Sequence, residues 1–317
     1  MHILVTGGAG FIGSHLTEAL LKRGDCVTVL DNFDPYYDPR IKRDNLVIAR
    51  EYGTFELVEG DIRDPGLIDK VFTDNPPDCV VHLAALAGVR LSLTEPLEFN
   101  AVNLDGTVNL LEACRKHGCG RFILASTSSA YGHSPAIPFS EDDPLLHCVS
   151  PYGATKIACE KYAYIYHQVH GLNVVALRFF TAHGPRQRPD MAIHKFAKAI
   201  LEGEELTLFG DGSTSRDYTY IDDIISGVSA AIDSKIAFDI INLGNCVATP
   251  LIDLVRLIEK ACGMEAKIRY LPEQPGDPPH TCADITHARE VLGFNPQTPI
   301  DIGVERFVKW YRENVAG

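Results

Sequence analysis

Through the first half of the chain, short runs rich in Val, Ile and Leu alternate with longer segments of helical period. The runs are His2–Thr6, Asp25–Leu30, Thr54–Val58, Cys79–Leu83, Arg121–Ala125 and Asn173–Arg178. Most are apolar at consecutive positions, which marks strands covered on both faces and so a parallel sheet. Between them, Phe11–Arg23 and Val102–Lys116 place apolar residues three and four apart, the spacing of helices that bury one stripe. The pattern predicts an α/β fold, a doubly wound parallel sheet. After about residue 180 the alternation fades, Pro and Gly become frequent and helical segments dominate, which predicts a smaller, mostly helical C-terminal lobe. The expected division is 1–180 and 181–317, with a segment near 216–245 returning to the sheet because Ile240–Leu243 reads as another buried strand.

Composition narrows the class. Hydrophobic residues at 45% and charged residues at 22% of 317 exclude a disordered chain and a coiled coil. The net charge of −13 repels polyanions, so neither nucleic acid nor an anionic membrane is an expected partner. No apolar run approaches the ~20 residues of a membrane span, and no leader segment is evident. Nine cysteines without a CxxC pair predict free thiols and a reducing, cytoplasmic setting. Cys114, His117 and Cys119 match no zinc spacing, and no metal is expected.

Two constellations carry chemistry. After the first strand, Thr6-Gly7-Gly8-Ala9-Gly10-Phe11-Ile12-Gly13 opens a helix. Glycines there allow a tight turn and close approach of backbone to a pyrophosphate, held at the helix N-terminus by free N–H groups and the dipole. Asp31 follows about 20 residues later at the end of the second strand, placed to accept from both ribose hydroxyls and to repel a 2′-phosphate. Together these make a Rossmann-type site for NAD rather than NADP. Asp61-Ile62, after the third strand, is placed to meet the adenine.

The second constellation is Ser150-Pro151-Tyr152-Gly153-Ala154-Thr155-Lys156. Ser150 is a helix cap with Pro at the first position, so Tyr152 and Lys156 share a face one turn apart. A lysine cation beside a phenol is expected to lower the tyrosine pKa toward neutrality and make it a general base. Ser126-Thr127-Ser128-Ser129 closes the fifth strand, where a hydroxyl can hydrogen-bond the same substrate oxygen.

In this order, the glycine fingerprint, the Ser/Thr cluster and YxxxK resemble the extended short-chain dehydrogenase/reductase family. The resemblance implies that Tyr152 takes a sugar hydroxyl proton, that Lys156 anchors the nicotinamide ribose and that Thr127, with Ser128 beside it, is the catalytic Ser/Thr. It places Gly7, Gly10, Phe11, Ile12, Gly13, Asp31, Asn32, Asp61, Ile62, Leu83, Ala84 and Ala85 at the cofactor, and Asn103 in the framework. Over nearly the whole chain the likeness narrows to nucleotide-sugar epimerases. Asp31–Asp38, Ala87–Arg90, Gly184–Ala192 and Gln274–Asp277 are similar to the UDP-glucuronate 4-epimerase branch. On that basis Thr181, Arg188, Ala192, Phe209, Arg216, Arg90 and Asp277 are expected at a UDP-sugar, with Arg188 and Thr181 on its C6 carboxylate, Arg216 on the diphosphate and Phe209 at uracil. The resemblance also implies a homodimer packed through two helices per subunit, Val102–Lys116 and Tyr152–His170. The alternatives are a 4-epimerase of a neutral UDP-hexose or UDP-N-acetylhexosamine, a UDP-glucuronate decarboxylase, and a non-catalytic NAD sensor. One departure stands out: Ala182-His183 precedes Gly184-Pro185 where the family usually has Val-Tyr, and His183 is expected to pack rather than react.

Overall fold

The structure, a computed structural model, describes residues 1–145, 148–272 and 278–315. Its strands are β1 (His2–Thr6), β2 (Cys26–Asp31), β3 (Glu56–Glu59), β4 (Cys79–His82), β5 (Arg121–Thr127), β6 (Asn173–Phe179), β7 (Thr181–His183), β8 (Glu205–Phe209), β9 (Ser215–Tyr220), β10 (Phe238–Leu243), β11 (Ala248–Pro250) and β12 (Lys267–Leu271). Seven of them form one parallel sheet in the order β10-β6-β5-β4-β1-β2-β3. The chain runs outward from β1 to β3 and then returns to lay β4 on the other side of β1. That reversal opens a crevice at the carboxyl ends of β1 and β4, where sheets of this type bind ligands. β10 contains the expected Ile240–Leu243 and pairs with β6, so the sheet borrows its last strand from the second half of the chain.

Both sheet faces are covered. Ile3, Val5, Val29, Val81 and Leu177 face a cluster shared with Leu16 and Leu20 of the helix Phe11–Arg23 and Ile224 and Val228 of Ile221–Asp233. Leu4, Leu30, Val80, Phe122 and Ala176 face Phe72, Leu110, Leu111 and Ala163 on the other side. This double burial is why the strands read as continuous apolar runs. A third cluster, with Ile193, Phe196, Leu254, Ile258 and Phe307, belongs to the C-terminal lobe, whose helices are Ala192–Glu202, Leu251–Cys262 and Ile300–Asn314. That lobe also contains two small sheets, β11-β9-β7 and β12-β8. Among the described residues, no helix is long and apolar enough to cross a membrane.

The helix expected over 102–116 is broken in one respect. Asn100–Asp105 is a π-helical turn, and the α-helix proper is Gly106–His117. The wider turn sets the buried Asn103 against the loop after β4, where it accepts from Leu86 N (2.8 Å) and donates to Leu86 O (3.0 Å). Apolar periodicity carries no signal for such a turn.

Between the sheet and the helix Pro151–His170 lies a buried ion pair. Arg178 of β6 donates through Nε (2.9 Å) and Nη2 (2.8 Å) to the two oxygens of Glu160, and both side chains are almost wholly excluded from solvent. Ser126 Oγ donates to the same carboxylate, and Arg178 Nη1 reaches the Tyr131 hydroxyl, which donates to Asn242 Oδ1 of β10 (2.7 Å). Burial opposes the Arg178 charge, but Glu160 outweighs it and raises the pKa. Removing one partner leaves the other charged and unpaired in the interior, at a cost of about 3–5 kcal/mol. Arg178→Ala is therefore expected to lower the unfolding free energy by about that amount, read as a shift of the urea midpoint; a shift equivalent to under about 1 kcal/mol would contradict it.

His183 is fully buried, edge-on to the rings of Tyr218 and Tyr220, and neither of its ring nitrogens has a partner of ordinary hydrogen-bond geometry. It packs, as expected, over Gly303, where a Cβ would lie 2.2 Å from Nε2. Burial pushes its pKa from 6.5 down to about 4. His15, held down to about 3 by burial and by Arg186, and the buried His82 are shifted the same way. These groups stay neutral in the folded protein where the unfolded chain takes up protons, so their contribution is whole above about pH 6.5 and is lost as pH falls toward 4. For His183 that loss is on the order of 3 kcal/mol. Unfolding free energy measured from pH 7.5 to 4.5 should fall, and His183→Phe should flatten the fall; identical slopes for the two proteins would contradict this.

Candidate functional site

The glycine turn lies at the crevice. Gly7 adopts φ +70°, and a Cβ there would stand 2.7 Å from Ala84 N; at Gly13 one would meet Gly7 O at 2.1 Å. The turn and the Leu83-Ala84-Ala85 segment after β4 are thus in backbone contact, secured further by Leu83 N donating to Thr6 O (3.1 Å). Gly10 caps the helix Phe11–Arg23 without a side-chain hydrogen bond, and no acidic residue occupies the first turn. The N–H groups of Phe11, Ile12 and Gly13 are thereby left for an anion.

Asp31, buried at the end of β2, accepts from Ala9 N (3.0 Å) on one oxygen and from Phe33 N (2.8 Å) on the other. It braces the glycine loop and keeps lone pairs for a ribose. Buried Asn45 ties the same loop from below, donating to Ala9 O (3.0 Å). Asn32 donates to Asp61 (3.1 Å), whose carboxyl is held down to about 2 chiefly by its hydrogen bonds with Arg63. Ile62 packs where a side chain at Gly106 would otherwise stand. A tight glycine cradle, an uncapped helix start and a ribose-level carboxylate fit a dinucleotide at this edge of the sheet.

The catalytic candidates converge one strand away. Ser150 Oγ accepts from Gly153 N (3.1 Å), Pro151 takes the first helical position, and the helix runs Pro151–His170 as the spacing predicts. Tyr152, Lys156 and Glu160 follow at four-residue intervals on one face. Glu160 is the residue fixed by Arg178, so the ion pair sets the register of the whole face against β5. Tyr152 faces Phe99, ring edge to ring face at 6.2 Å. Thr127 closes β5, accepts from Ser129 N (3.1 Å) and acts on the Tyr152 phenol to lower its pKa. Ser128 begins the 3-10 turn that follows. Ser126, by contrast, is consumed by Glu160.

The electrostatics differ from the expectation. Burial raises the Tyr152 pKa, against the opposing pull of Thr127 and of the Arg188 charge. Lys156 is buried, donates to Ala125 O (2.9 Å), and is itself lowered by burial. Burial thus outweighs Thr127 and Arg188, and Lys156, turned to a backbone carbonyl, is not among the groups that lower the phenol. Its three N–H donors still leave it capacity toward a ribose and the phenol.

On the sugar side, Thr181 lies in β7 and Ala192 starts the helix Ala192–Glu202, again without a side-chain cap or an acidic first turn. Arg188 is not an open cation: Nε and Nη2 donate to the two oxygens of Asp190 at 2.9 and 2.8 Å. Burial works against its charge, yet Asp190 prevails and raises the pKa. Arg186, by contrast, is a structural residue, paired with Glu18 of the first helix in a buried contact of 2.5 Å. Arg216 donates to Ser215 O and Pro279 O and has no carboxylate within 4 Å among the described residues. Arg90, in the short helix Val89–Thr94 that follows β4, stacks over the Phe209 ring of β8 at 4.7 Å. Asp277, like Gln274, lies outside the described residues. Sequence reasoning missed the Glu160–Arg178 pair and the Asp190 and Tyr36 contacts to Arg188; the four-residue repeat Tyr152, Lys156, Glu160 was the available signal for the first.

A family model described as the NAD dependent epimerase/dehydratase family matches residues 3–244. The chain is 41% identical to UDP-glucuronate 4-epimerase 4 of Arabidopsis thaliana, over 99% of this chain and 76% of that one. Among solved structures it is similar to UDP-glucuronic acid 4-epimerase from Bacillus cereus, in complex with UDP-glucuronic acid and NAD: TM-score 0.93, 39% identity, 99% of each chain covered. It is also similar to UDP-glucose 4-epimerase from Thermotoga maritima with UDP-glucose, with TM-score 0.92, 33% identity, and 99% and 100% covered. With a glycine cradle, a Tyr/Lys/Thr group and a borrowed edge strand in one sheet, and with relatives of this kind over its full length, the chain belongs to the NAD dependent epimerase/dehydratase family.

Proposed function

We propose that the protein interconverts UDP-glucuronate and UDP-galacturonate by inversion at C4, using NAD. The observation that carries the reading is the placement of Tyr152 and Lys156 one turn apart on the helix Pro151–His170 with Thr127 at the carboxyl end of β5, where Thr127 and the Arg188 charge both act to lower the phenol's pKa. The names of the Arabidopsis and Bacillus relatives support glucuronate over a neutral hexose.

NAD, when bound, supplies a reversible hydride acceptor. The chain's own residues do the rest. Gly7, Gly10, Phe11, Ile12 and Gly13 receive the pyrophosphate, Asp31 and Asn32 the adenosine ribose, Asp61 and Ile62 the adenine, and Leu83, Ala84 and Ala85 line the path toward Tyr152. Tyr152, as phenolate, takes the O4 proton and becomes the phenol, while Thr127, with Ser128 next to it, hydrogen-bonds that oxygen. Lys156 engages the nicotinamide ribose and adds a cation beneath the phenolate. With the C4 hydrogen lost as hydride, the 4-keto sugar turns about its diphosphate link, so that the hydride returns to the other face of C4 while Tyr152 gives the proton back to O4. Arg216 and the helix start at Ala192 hold the diphosphate through the turn, Phe209 and Arg90 hold uracil, and Arg188 with Thr181 meets the C6 carboxylate. Residues 1–180 serve as the cofactor lobe and 181–317 as the sugar lobe, and a cytoplasmic setting suits the nine free thiols.

A second copy of the chain completes the assembly in this reading. Leu97, Ala101, Leu104 and Val108 fall on one stripe, and Ala158, Tyr162, Ile165 and Val169 on a neighbouring one. Leu97 is 85% and Val169 67% exposed. Paired stripes of this spacing fit a helical bundle across a two-fold axis.

Incubation with UDP-glucuronate followed by proton NMR is expected to give UDP-galacturonate, and Tyr152→Phe to lower kcat by about 10²–10⁴-fold with NAD still bound. No UDP-galacturonate beside rapid turnover of UDP-glucose would transfer the assignment to a neutral-sugar epimerase. Light scattering after gel filtration is expected to give twice the 34.8 kDa chain mass, and Ile165→Lys the single mass; a wild-type monomer would exclude the dimer.

A further inference from the structure

Arg188 sits in a closed triangle. Its Nε and Nη2 donate to Asp190, the Tyr36 hydroxyl donates to the same carboxylate at 3.2 Å, and the guanidinium lies over the Tyr36 ring, 5.6 Å from its centroid. Tyr36 comes from the loop after β2 and Asp190 from the segment before the helix Ala192–Glu202, so the triangle ties the two lobes together. The Arg188 and Asp190 side chains are partly buried and Tyr36 is exposed, and the backbone turn is fixed by Met191 N donating to Arg188 O (3.1 Å).

A guanidinium offers two flat edges for bidentate binding of a carboxylate. Asp190 occupies the Nε/Nη2 edge. Nη2 also reaches Met191 Sδ (3.9 Å), and Nη1 makes no hydrogen bond among the described residues, so the Nη1/Nη2 edge retains the Nη1 donors. The protein thus holds its own carboxylate against the arginine expected to receive the sugar's. That arrangement costs affinity, since a second anion must share one cation with the first, and it contributes orientation, since a long side chain is reduced to one rotamer.

Resting on the epimerase reading above, we propose that Asp190 is a positioning residue, supported by Tyr36, that fixes which edge of Arg188 meets the C6 carboxylate and thereby separates epimerisation from decarboxylation. In the 4-keto sugar, breaking the C5–C6 bond sends its electron pair into the C4 carbonyl, releases carbon dioxide and leaves an enolate that takes a proton at C5. The step needs no external oxidant or reductant. It requires the C5–C6 bond to align with the carbonyl π system, and a carboxylate gripped by an immobile guanidinium edge is kept out of that alignment. With Asp190 neutralised, Arg188 attracts the sugar carboxylate at least as strongly but no longer at a fixed angle.

The test compares wild type, Asp190→Asn and Tyr36→Phe on UDP-glucuronate, with products separated by anion-exchange chromatography and identified by proton NMR. Asp190→Asn is expected to lower kcat about tenfold, leave KM equal or lower, and raise the ratio of decarboxylated pentose product to UDP-galacturonate at least about fivefold. Tyr36→Phe should move the ratio the same way by a smaller factor, and it decides the matter if Asp190→Asn does not fold. A fall in kcat with an unchanged product ratio would show a merely structural role and overturn the proposal, as would unchanged kinetics in both variants. Wild type that makes no UDP-galacturonate would instead overturn the epimerase reading itself.

Discussion

The Glu160–Arg178 pair is the contact on which the site's geometry depends. It joins the catalytic helix to β6, Ser126 adds β5, and Tyr131 and Asn242 carry the network to β10. A pair so deeply buried contributes little net stability when both partners are present, because desolvation offsets most of its attraction. Its value is directional. The bidentate geometry admits one rotation of the helix about its axis, and Tyr152 and Lys156 stand two turns and one turn before Glu160 on the same face. Turning that helix to another face would break the pair and carry the phenol away from Thr127. The second face is held independently: Cys159 Sγ donates to Asn103 O (3.1 Å), and Asn103 Nδ2 donates to Thr155 Oγ1 (3.2 Å).

Because Asn103 also clasps Leu86, that framework links the helix to the loop after β4, along the path assigned to the cofactor. The cofactor edge and the proton-transfer group are therefore braced by one continuous set of buried polar contacts. Each member has its partner in the fold, which is the condition under which such a network rigidifies rather than weakens an interior. The buried His82 shows the same economy: it bridges Thr6 Oγ1 (2.7 Å) at the end of β1 and Thr107 Oγ1 (2.9 Å), so the base of the glycine turn is tied to the helix beyond the π-turn.

Much of this was legible in the sequence, and the reasons differ by feature. The strands and the helix Phe11–Arg23 could be read because burial on both faces leaves continuous apolar runs. The start of the catalytic helix could be read because Ser150 and Pro151 are local signals, needing no tertiary partner. The Glu160–Arg178 pair was hidden because its members are 18 residues apart on a helix and a strand, and a charged residue in an apolar segment announces burial without naming its partner. Asp190 on Arg188 was hidden for the opposite reason: two residues apart, they look like neighbouring surface charges in Arg188-Pro189-Asp190 until the Tyr36 loop folds over them. The rise in the Tyr152 pKa was likewise illegible, since YxxxK spacing locates a lysine but cannot reveal that its ammonium donates to Ala125 O.

That rise bears on how a protein of net charge −13 handles anionic ligands. A net charge acts at long range and is screened within about 10 Å, so it says little about a pocket built from local donors. The helix starts at Gly10 and Ala192, without side-chain caps, and Arg216, with no carboxylate partner among the described residues, are donors of that local kind. The two remaining cations near the chemistry are each withheld, Arg188 by Asp190 and Lys156 by Ala125 O. With both engaged, burial dominates and the phenol keeps its proton. Lys156 nonetheless keeps two N–H donors while it holds Ala125 O, so the helix face that carries Tyr152 presents a cation as well as a phenol.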